Sequence, residues 1–362
     1  MRRAAKHRLA RGCFAALLCL GSAAPAAALT QAEIAFYQGA DRQQILEEGA
    51  RREGGVTFYT AMIVDQATRP LIEAFQRKYP YVKAEYWRGE SRAIIQKLLA
   101  EMRAGNLVAD VVESSGISEG LVHAGVVQPF TSPELVGYDA KYLDSRHLYA
   151  PTRISYFGTA YNTKLVAAAA APQHYEDLLD AKWRNKIAWR VDADTGSSLF
   201  IANLLTAWGE QKADSYLKRF AAQNVVAFDG SARTLVNRVM EGEYPIAVHI
   251  FAHHPLISAR DGAPVTTLLM EPVASASGTV LLPKNVRHPY AAMLLIDFIL
   301  SKDGQETLKH SDYFPANPAV EPDDYLKPIV PSYRGLTENY LRPEALYEQG
   351  DKLQALYDRY FN

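Results

Sequence analysis

The run Val191-Asp192-Ala193-Asp194-Thr195-Gly196-Ser197-Ser198-Leu199-Phe200 joins a short apolar stretch, Lys186 to Arg190, to a long helical pattern. A strand that hands over to a helix through small residues leaves the first N–H groups of that helix without intrahelical partners. Thr195, Ser197 and Ser198 add hydroxyls there, and Gly196 allows a ligand to approach the backbone. Such an end suits an anion or a polar oxygen. One turn of this kind is an ordinary helix cap, but the chain repeats the arrangement. Other strand ends read Tyr59-Thr60, Trp87-Arg88-Gly89-Glu90-Ser91, Glu113-Ser114-Ser115-Gly116 and Asp229-Gly230-Ser231, and a last one is His249, followed by His253 and His254.

Each of these residues has a bland reading beside a chemical one. Arg88 is suited to grip a carboxylate or phosphate through two parallel hydrogen bonds, or is a solvated arginine at a strand end. Arg153 and Arg233 are lesser candidates of the same kind. Glu113 would repel an anion unless the ligand also carries a cationic group or Arg88 neutralises it. Tyr59 faces either a cleft or the interior, and Trp87 reads as core. His249, His253 and His254 form a metal set in one reading; in the other, one or two of them donate hydrogen bonds to a solute oxygen. Gly116-Ile117-Ser118-Glu119-Gly120 matches the nucleophile elbow of serine hydrolases. An elbow needs its serine in the sharp turn, whereas here the strand ends earlier and Ser118 falls inside the next helix.

These residues sit on a regular alternation. Strands are expected at Val56 to Tyr59, Val82 to Trp87, Ala109 to Glu113 and Ile154 to Tyr161. Helices with one apolar face separate the first of them, at Asp65 to Tyr79, Glu90 to Ala104 and Ile117 to Ala124. A second series opens with the strand Lys186 to Arg190. It continues through helices Ser197 to Trp208, Lys212 to Ala222 and Ala232 to Glu241, with strands Val225 to Phe228 and Ile246 to Ile250. After a short helix towards Arg260 come strands Val265 to Met270 and Gly278 to Leu282, an apolar helix Pro289 to Ser301, and a final helix Leu341 to Phe361. Alternating strands and helices predict parallel sheets covered on both faces. In such sheets ligands bind at the carboxyl ends of the strands, where the polar residues lie.

The chain has 362 residues, with 39 basic and 40 acidic side chains. Its start reads as a secretory leader over residues 1–28: Arg2, Arg3, Lys6, Arg8 and Arg11, an apolar run from Cys13 to Leu20, and a small-residue cleavage site at Ala26-Ala27-Ala28. The apolar run is too short to span a bilayer. Cleavage removes both cysteines, Cys13 and Cys19, so no disulfide or thiol chemistry is expected. It leaves 34 basic against 40 acidic residues, a net charge of −6. That charge argues against nucleic acid or an acidic membrane surface as partner. No phosphate-binding loop, zinc-protease pair or dinucleotide fingerprint is present, and no cofactor is expected.

At this point the layout resembles the periplasmic solute-binding proteins of ABC transporters, in the branch that includes ferric-ion binders. The residues that carry the resemblance are Val56-Thr57-Phe58-Tyr59, Ala109-Asp110-Val111-Val112, Tyr161-Asn162-Thr163-Lys164-Leu165, Trp183-Arg184-Asn185-Lys186-Ile187, Asp194-Thr195-Gly196-Ser197 and Glu241-Gly242-Glu243. The resemblance implies an α/β, two-lobed periplasmic binding protein fold of type II. Each lobe would be a mostly parallel sheet covered by helices, with the ligand cleft between them. It implies crossovers near Arg153 to Tyr156 and Ser275 to Gly278. Residues 29–153 and 276–325 would then form lobe 1, residues 154–275 lobe 2, and residues 326–362 a helical segment packing back on the lobes. Also implied are hinge closure on a small solute, delivery to a membrane permease, periplasmic location, a monomeric state and no catalysis. Ferric binders place two adjacent tyrosines after the strand that ends here at His249; the matching positions are Ala252 and His253. Hard ferric iron prefers oxygen ligands. The reading is therefore a receptor for an anionic or zwitterionic solute, with a ferric or other metal-ion receptor as the alternative and a secreted serine hydrolase as a remote one. The expected ligand-binding residues are Tyr59, Thr60, Arg88, Glu113, Ser114, Ser115, Thr195, Gly196, Ser197, Ser198, Ser231, His249 and His253.

Overall fold

The computed structural model describes residues 29–116, 118–191 and 196–362. The leader, Ile117 and Thr195 lie outside the described residues. Twelve strands occur among them: β1 (Gly55–Thr60), β2 (Lys83–Arg88), β3 (Val111–Ser115), β4 (Val127–Gln128), β5 (Ala150–Asn162), β6 (Ile187–Arg190), β7 (Val226–Phe228), β8 (Ile246–Phe251), β9 (Val265–Leu268), β10 (Val273–Pro283), β11 (Phe314–Pro315) and β12 (Glu338–Tyr340). Their main order is β2-β1-β3-β10-β5-β8-β6-β7. β1 pairs in parallel with β2 and β3 at one end, and β6 with β7 and β8 at the other. Between these parallel sets run the antiparallel β10 and β5.

Two cores divide along this line. The first gathers Phe58, Leu71, Phe75 and Val112 around the helix Pro289–Leu300, which is buried on every side from Tyr290 onward. A helix that is apolar all round belongs at the centre of a domain. The helix Arg42–Glu53 packs on it at Gly49, where a Cβ would come within 2.1 Å of Tyr290 Cγ. The second core gathers Trp189, Phe200, Tyr216 and Phe220. Ala188, Leu235, Val236, Ala247 and Ile250 form a smaller cluster.

β5 connects the cores. All thirteen of its residues are buried; Ala150 to Tyr156 pair with β10, and Phe157 to Asn162 pair with β8 and β9. The two stretches expected to cross between lobes are neighbours, with Tyr156 opposite Ser275 and Arg153 opposite Gly278.

Two predicted helices are divided. Asp65 to Tyr79 is a wide turn over Val64–Thr68 followed by the helix Arg69–Lys78. Pro70 has no N–H to give the turn before it, so a new helix starts with the proline in its first turn. Leu341 to Phe361 is two helices, Pro343–Glu348 and Gly350–Phe361. The first stacks Tyr347 on His123 at 4.3 Å, and the second brings Phe361 to 4.4 Å from Trp189. The tail therefore touches both halves. Helices Gln31–Phe36, Arg42–Glu53 and Lys302–His310 were not expected; they carry few large apolar residues and bury short faces.

Candidate functional site

The carboxyl ends of two sets of three parallel strands converge on one cavity of about 410 Å³. Lobe 1 supplies Ala61 and Ile63 after β1, Arg88 and Glu90 at the end of β2, Ser91 and Arg92 opening the next helix, and Ser115 ending β3. Lobe 2 supplies Arg190 ending β6 and Val191 after it, Asp229 to Arg233 after β7, and Phe251 ending β8 with His253 and His254 after it. Arg153 and Ser155 on β5 and Tyr313 before β11 complete the wall. Within each set the parallel strands point their carboxyl ends to one edge, and the antiparallel β10 and β5 set the two sets running in opposite directions, so that the two edges meet at the cavity.

Among the described residues, five arginines line this cavity against two carboxylates, Glu90 and Asp229. Arg88 is tied to Glu90 at 2.5 Å. Arg190 Nε donates to the Gly230 carbonyl at 3.0 Å, and Arg233 Nη1 donates to the His254 carbonyl at 3.0 Å. Arg92 is exposed at the mouth. Arg153 is 6% exposed and forms an ion pair with the wholly buried Glu113. Burial pulls the Arg153 guanidinium below its ordinary pKa, while Tyr313, whose ring centre lies 5.1 Å away, acts in the opposite sense. Glu113 also accepts from Thr60 Oγ1 at 2.7 Å and Thr152 Oγ1 at 3.2 Å. The repulsion expected of Glu113 is thus cancelled by Arg153, not by Arg88.

Of the expected binding residues, Arg88, Ser115, Ser231 and His253 line the cavity. The other described ones are placed elsewhere. Tyr59 lies in the first core, 1% exposed, with its hydroxyl donating to Glu101 at 2.6 Å. Thr60 and Glu113 are buried behind Arg153, and Ser114 is hydrogen-bonded to Ser91 at 2.8 Å. Gly196 is buried, and Ser197 and Ser198 open the helix Ser197–Trp208 at 3% and 8% exposure. Neither they nor Gly196 touch the cavity among the described residues, and Thr195 lies outside them. His249 stacks on Phe157 at 4.6 Å inside the second core, at a φ of 54° where the β5–β8 pairing is irregular. Arg190, Ser155, Phe251 and Tyr313 carried no weight as sequence candidates. Arg190 could have been found, since it ends the strand before the Thr195 turn. Tyr313 had no local signal.

All three histidines are neutral at pH 7. Burial lowers His249 and His253 to about 3, aided by the positive charge of Arg190 on the first and of Arg153 and Arg233 on the second. Burial, then His253 and the arginines, lowers His254 in the same way. In the unfolded chain these rings titrate near 6.5, so the unfolded state takes up more protons as pH falls from about 6.5 towards 3. Stability is then expected to fall by about 2 kcal/mol for each of His249 and His253 at pH 5, with His254 acting in the same direction. Asp297, raised to about 6 by burial against the opposing pull of Arg42, acts the other way below pH 6. Thermal midpoints at pH 7.5 and pH 5 check this: His249→Asn, which tolerates the positive φ, should narrow the gap between them.

Ser118 is buried at the first position of its helix, with its Oγ unpartnered among the described residues. Ala252 lies in the first core, and no group of three or more His, Cys, Asp or Glu able to hold a metal occurs among the described residues.

Residues 107–330 match the family model of the bacterial extracellular solute-binding proteins. A Haemophilus influenzae protein of undescribed function is 26% identical over 245 residues, covering 65% of this chain and 69% of its own. A Salmonella typhi protein with the provisional name 2-aminoethylphosphonate-binding periplasmic protein is 25% identical over 194 residues, 50% of this chain. This chain spans only 55% of that relative's length. Among solved structures, the periplasmic binding protein AfuA from Actinobacillus pleuropneumoniae, bound to fructose-6-phosphate, superposes with a TM-score of 0.70 at 23% identity over 84% of this chain and 97% of its own. Iron-bound HitA from Pseudomonas aeruginosa gives 0.72 at 18% identity over 85% and 99%. At these identities the likeness to both structures concerns the two-lobed fold.

Proposed function

The chain belongs to the bacterial extracellular solute-binding protein family, and from that premise we propose that it is the periplasmic receptor of an ABC importer for a small anionic solute. The observation that supports this most is the charge of the cleft: five arginines from both lobes face one cavity, and Glu90 is already paired with Arg88. Inside a cleft with low-dielectric walls such a set attracts an anion far more strongly than the same charges on an open surface. The name of the Salmonella relative, with its phosphonate, agrees with that chemistry. Closure about β5 and β10 would bring Arg190 and Arg233 of lobe 2 towards Arg88 and Arg153 of lobe 1, enclosing one anionic group. The closed form would then be what the permease accepts. The solute leaves unchanged, as in the binding proteins of this family.

A thermal-shift screen tests the reading. Phosphate esters, phosphonates, carboxylates and sulfate should include at least one ligand that raises the midpoint. Uncharged polyols, simple amines and ferric citrate should not. A ligand at a hundred times its Kd stabilises by about 2.7 kcal/mol, well within detection. A shift with ferric salts alone, accompanied by a visible charge-transfer band, would overturn the proposal in favour of a metal receptor.

A further inference from the structure

We propose that residues 338–361 form a strap behind the hinge, and that its fastening to lobe 1 opposes closure of the cleft. This rests on the cleft closing about β5 and β10, whatever the solute. Arg153 and Ser155 of β5 face the cavity, so Ile154 and Tyr156 face the other way. Residues directly opposite each other in a sheet share a face, and Tyr156 pairs with Ser275 and Ile154 with Ser277. Both serines are bonded to β12: Ser275 Oγ donates to Glu338 at 2.6 Å, and Ser277 Oγ shares a hydrogen bond with Tyr340 Oη at 2.9 Å. β12 therefore holds the crossing strands on the face turned away from the cavity.

The chain from β12 onward is fastened to both lobes. Glu338 accepts from Lys141 Nζ and Tyr142 Oη of lobe 1, each at 3.0 Å, and Asn339 Nδ2 donates to Asn203 Oδ1 of lobe 2 at 2.8 Å. The helix Pro343–Glu348 then returns to lobe 1, where Tyr347 stacks on His123 and Glu344 stands 3.7 Å from Arg146. The helix Gly350–Phe361 ends in lobe 2, with Leu353, Leu356 and Tyr357 buried in the second core and Lys352 paired with Glu210. These two attachments are unequal. Pro343–Glu348 buries no residue, and Tyr347 is 47% exposed, so the His123–Tyr347 stack is the contact that yields first. When a hinge closes on one side, the surfaces on its other side separate. Closure draws the lobe 2 end of the strap away from His123, and the energy of the stack counts against the closed form. Apparent affinity falls with the fraction of molecules able to close.

Distance measurements between two spin labels test this without any solute. In the exported protein, whose leader takes both cysteines with it, labels attach only at Gln96→Cys and Arg238→Cys. Both positions are exposed, on the helices Ser91–Arg103 and Ala232–Glu241 that open at the cavity from opposite lobes. His123→Ala and Tyr347→Ala should each raise the population of short separations about fivefold, as loss of one aromatic pair implies. The double variant should go no further than either, since all three lack the same contact. Tyr347→Phe keeps the ring and should match the parent. Both side chains are about half exposed, so neither change empties a core. Distances in the alanine variants like those of the parent, a shift to longer separations, or a double variant equal to the sum of the two would overturn the inference. Because no solute is added, a failed screen for anions would overturn the anion reading and leave this result standing.

Discussion

Replacing Glu113 by glutamine is expected to destabilise the protein and, at the same time, to tighten its hold on an anion. Glu113 is fully buried at the end of β3, where it accepts from Thr60 and Thr152 and pairs with Arg153. The space for that pair exists because residue 278 has no side chain: a Cβ there would lie 2.4 Å from Arg153 Nη1 and 2.9 Å from Glu113 Oε1. Removing one partner of a buried ion pair costs about 3–5 kcal/mol, because the other charge is left uncompensated. Arg153 also faces the cavity, where water can solvate it, so the lower end of that range applies. With its charge no longer shared with Glu113, Arg153 should bind an anion about tenfold more tightly, a gain of about 1.4 kcal/mol. Arg153→Met should lower both quantities, since it strands a buried carboxylate and removes a cation from the site. Chemical denaturation and calorimetry separate the two effects. Weaker anion binding by Glu113→Gln would show that Glu113 aims Arg153 more than it neutralises it.

Changing Arg190 and Arg233 together to glutamine should weaken anion binding by about a hundredfold to ten-thousandfold, since each charged hydrogen bond contributes about 1.5–3 kcal/mol. Both residues are half-buried, and the Arg190–Gly230 and Arg233–His254 carbonyl contacts use one N–H each, which glutamine also has. The salt dependence of binding and the association rate should both fall, because lobe 2 would lose its two cavity arginines. Arg88→Gln should cost less than about tenfold, as Arg88 is exposed and already bound to Glu90. A double variant that binds and associates like the parent would show that lobe 2 does not supply the anion contacts.

The sequence was most informative where a pattern has a period. The helices Ser197–Trp208 and Ala232–Glu241 fall where the apolar spacing put them. It was least informative where small or polar residues make the contacts. Arg42–Glu53 is seated by Gly49, Leu46 and Ala50 and by the buried Arg42–Asp297 pair, none of which stands out along the chain. The site divides in the same way. That polar strand ends would gather within each series follows from their order, because parallel strands present their carboxyl ends to one edge, and the antiparallel β10 and β5 bring the two edges together.

Which side chain at each end enters the cavity was decided by how far along its strand it stands. Tyr59 is still within β1 and turns to Glu101 in the core, while Ala61 and Ile63, beyond the end of the strand, reach the cleft. On β3 the cavity receives Ser115, while Glu113 serves Arg153 from behind. Three apparently equivalent histidines divide likewise, one stacked in the second core and two on the cavity wall. By itself the sequence determined the alternating architecture, the polar edge and the absence of the tyrosine pair. Only the tertiary structure decided that Arg153 cancels Glu113 and that Arg190, Arg233 and Tyr313 join it around one cavity. Those partners come from β3, β5, β6, the helix after β7 and the segment before β11, and their meeting depends on strand pairings and packing that no local stretch encodes.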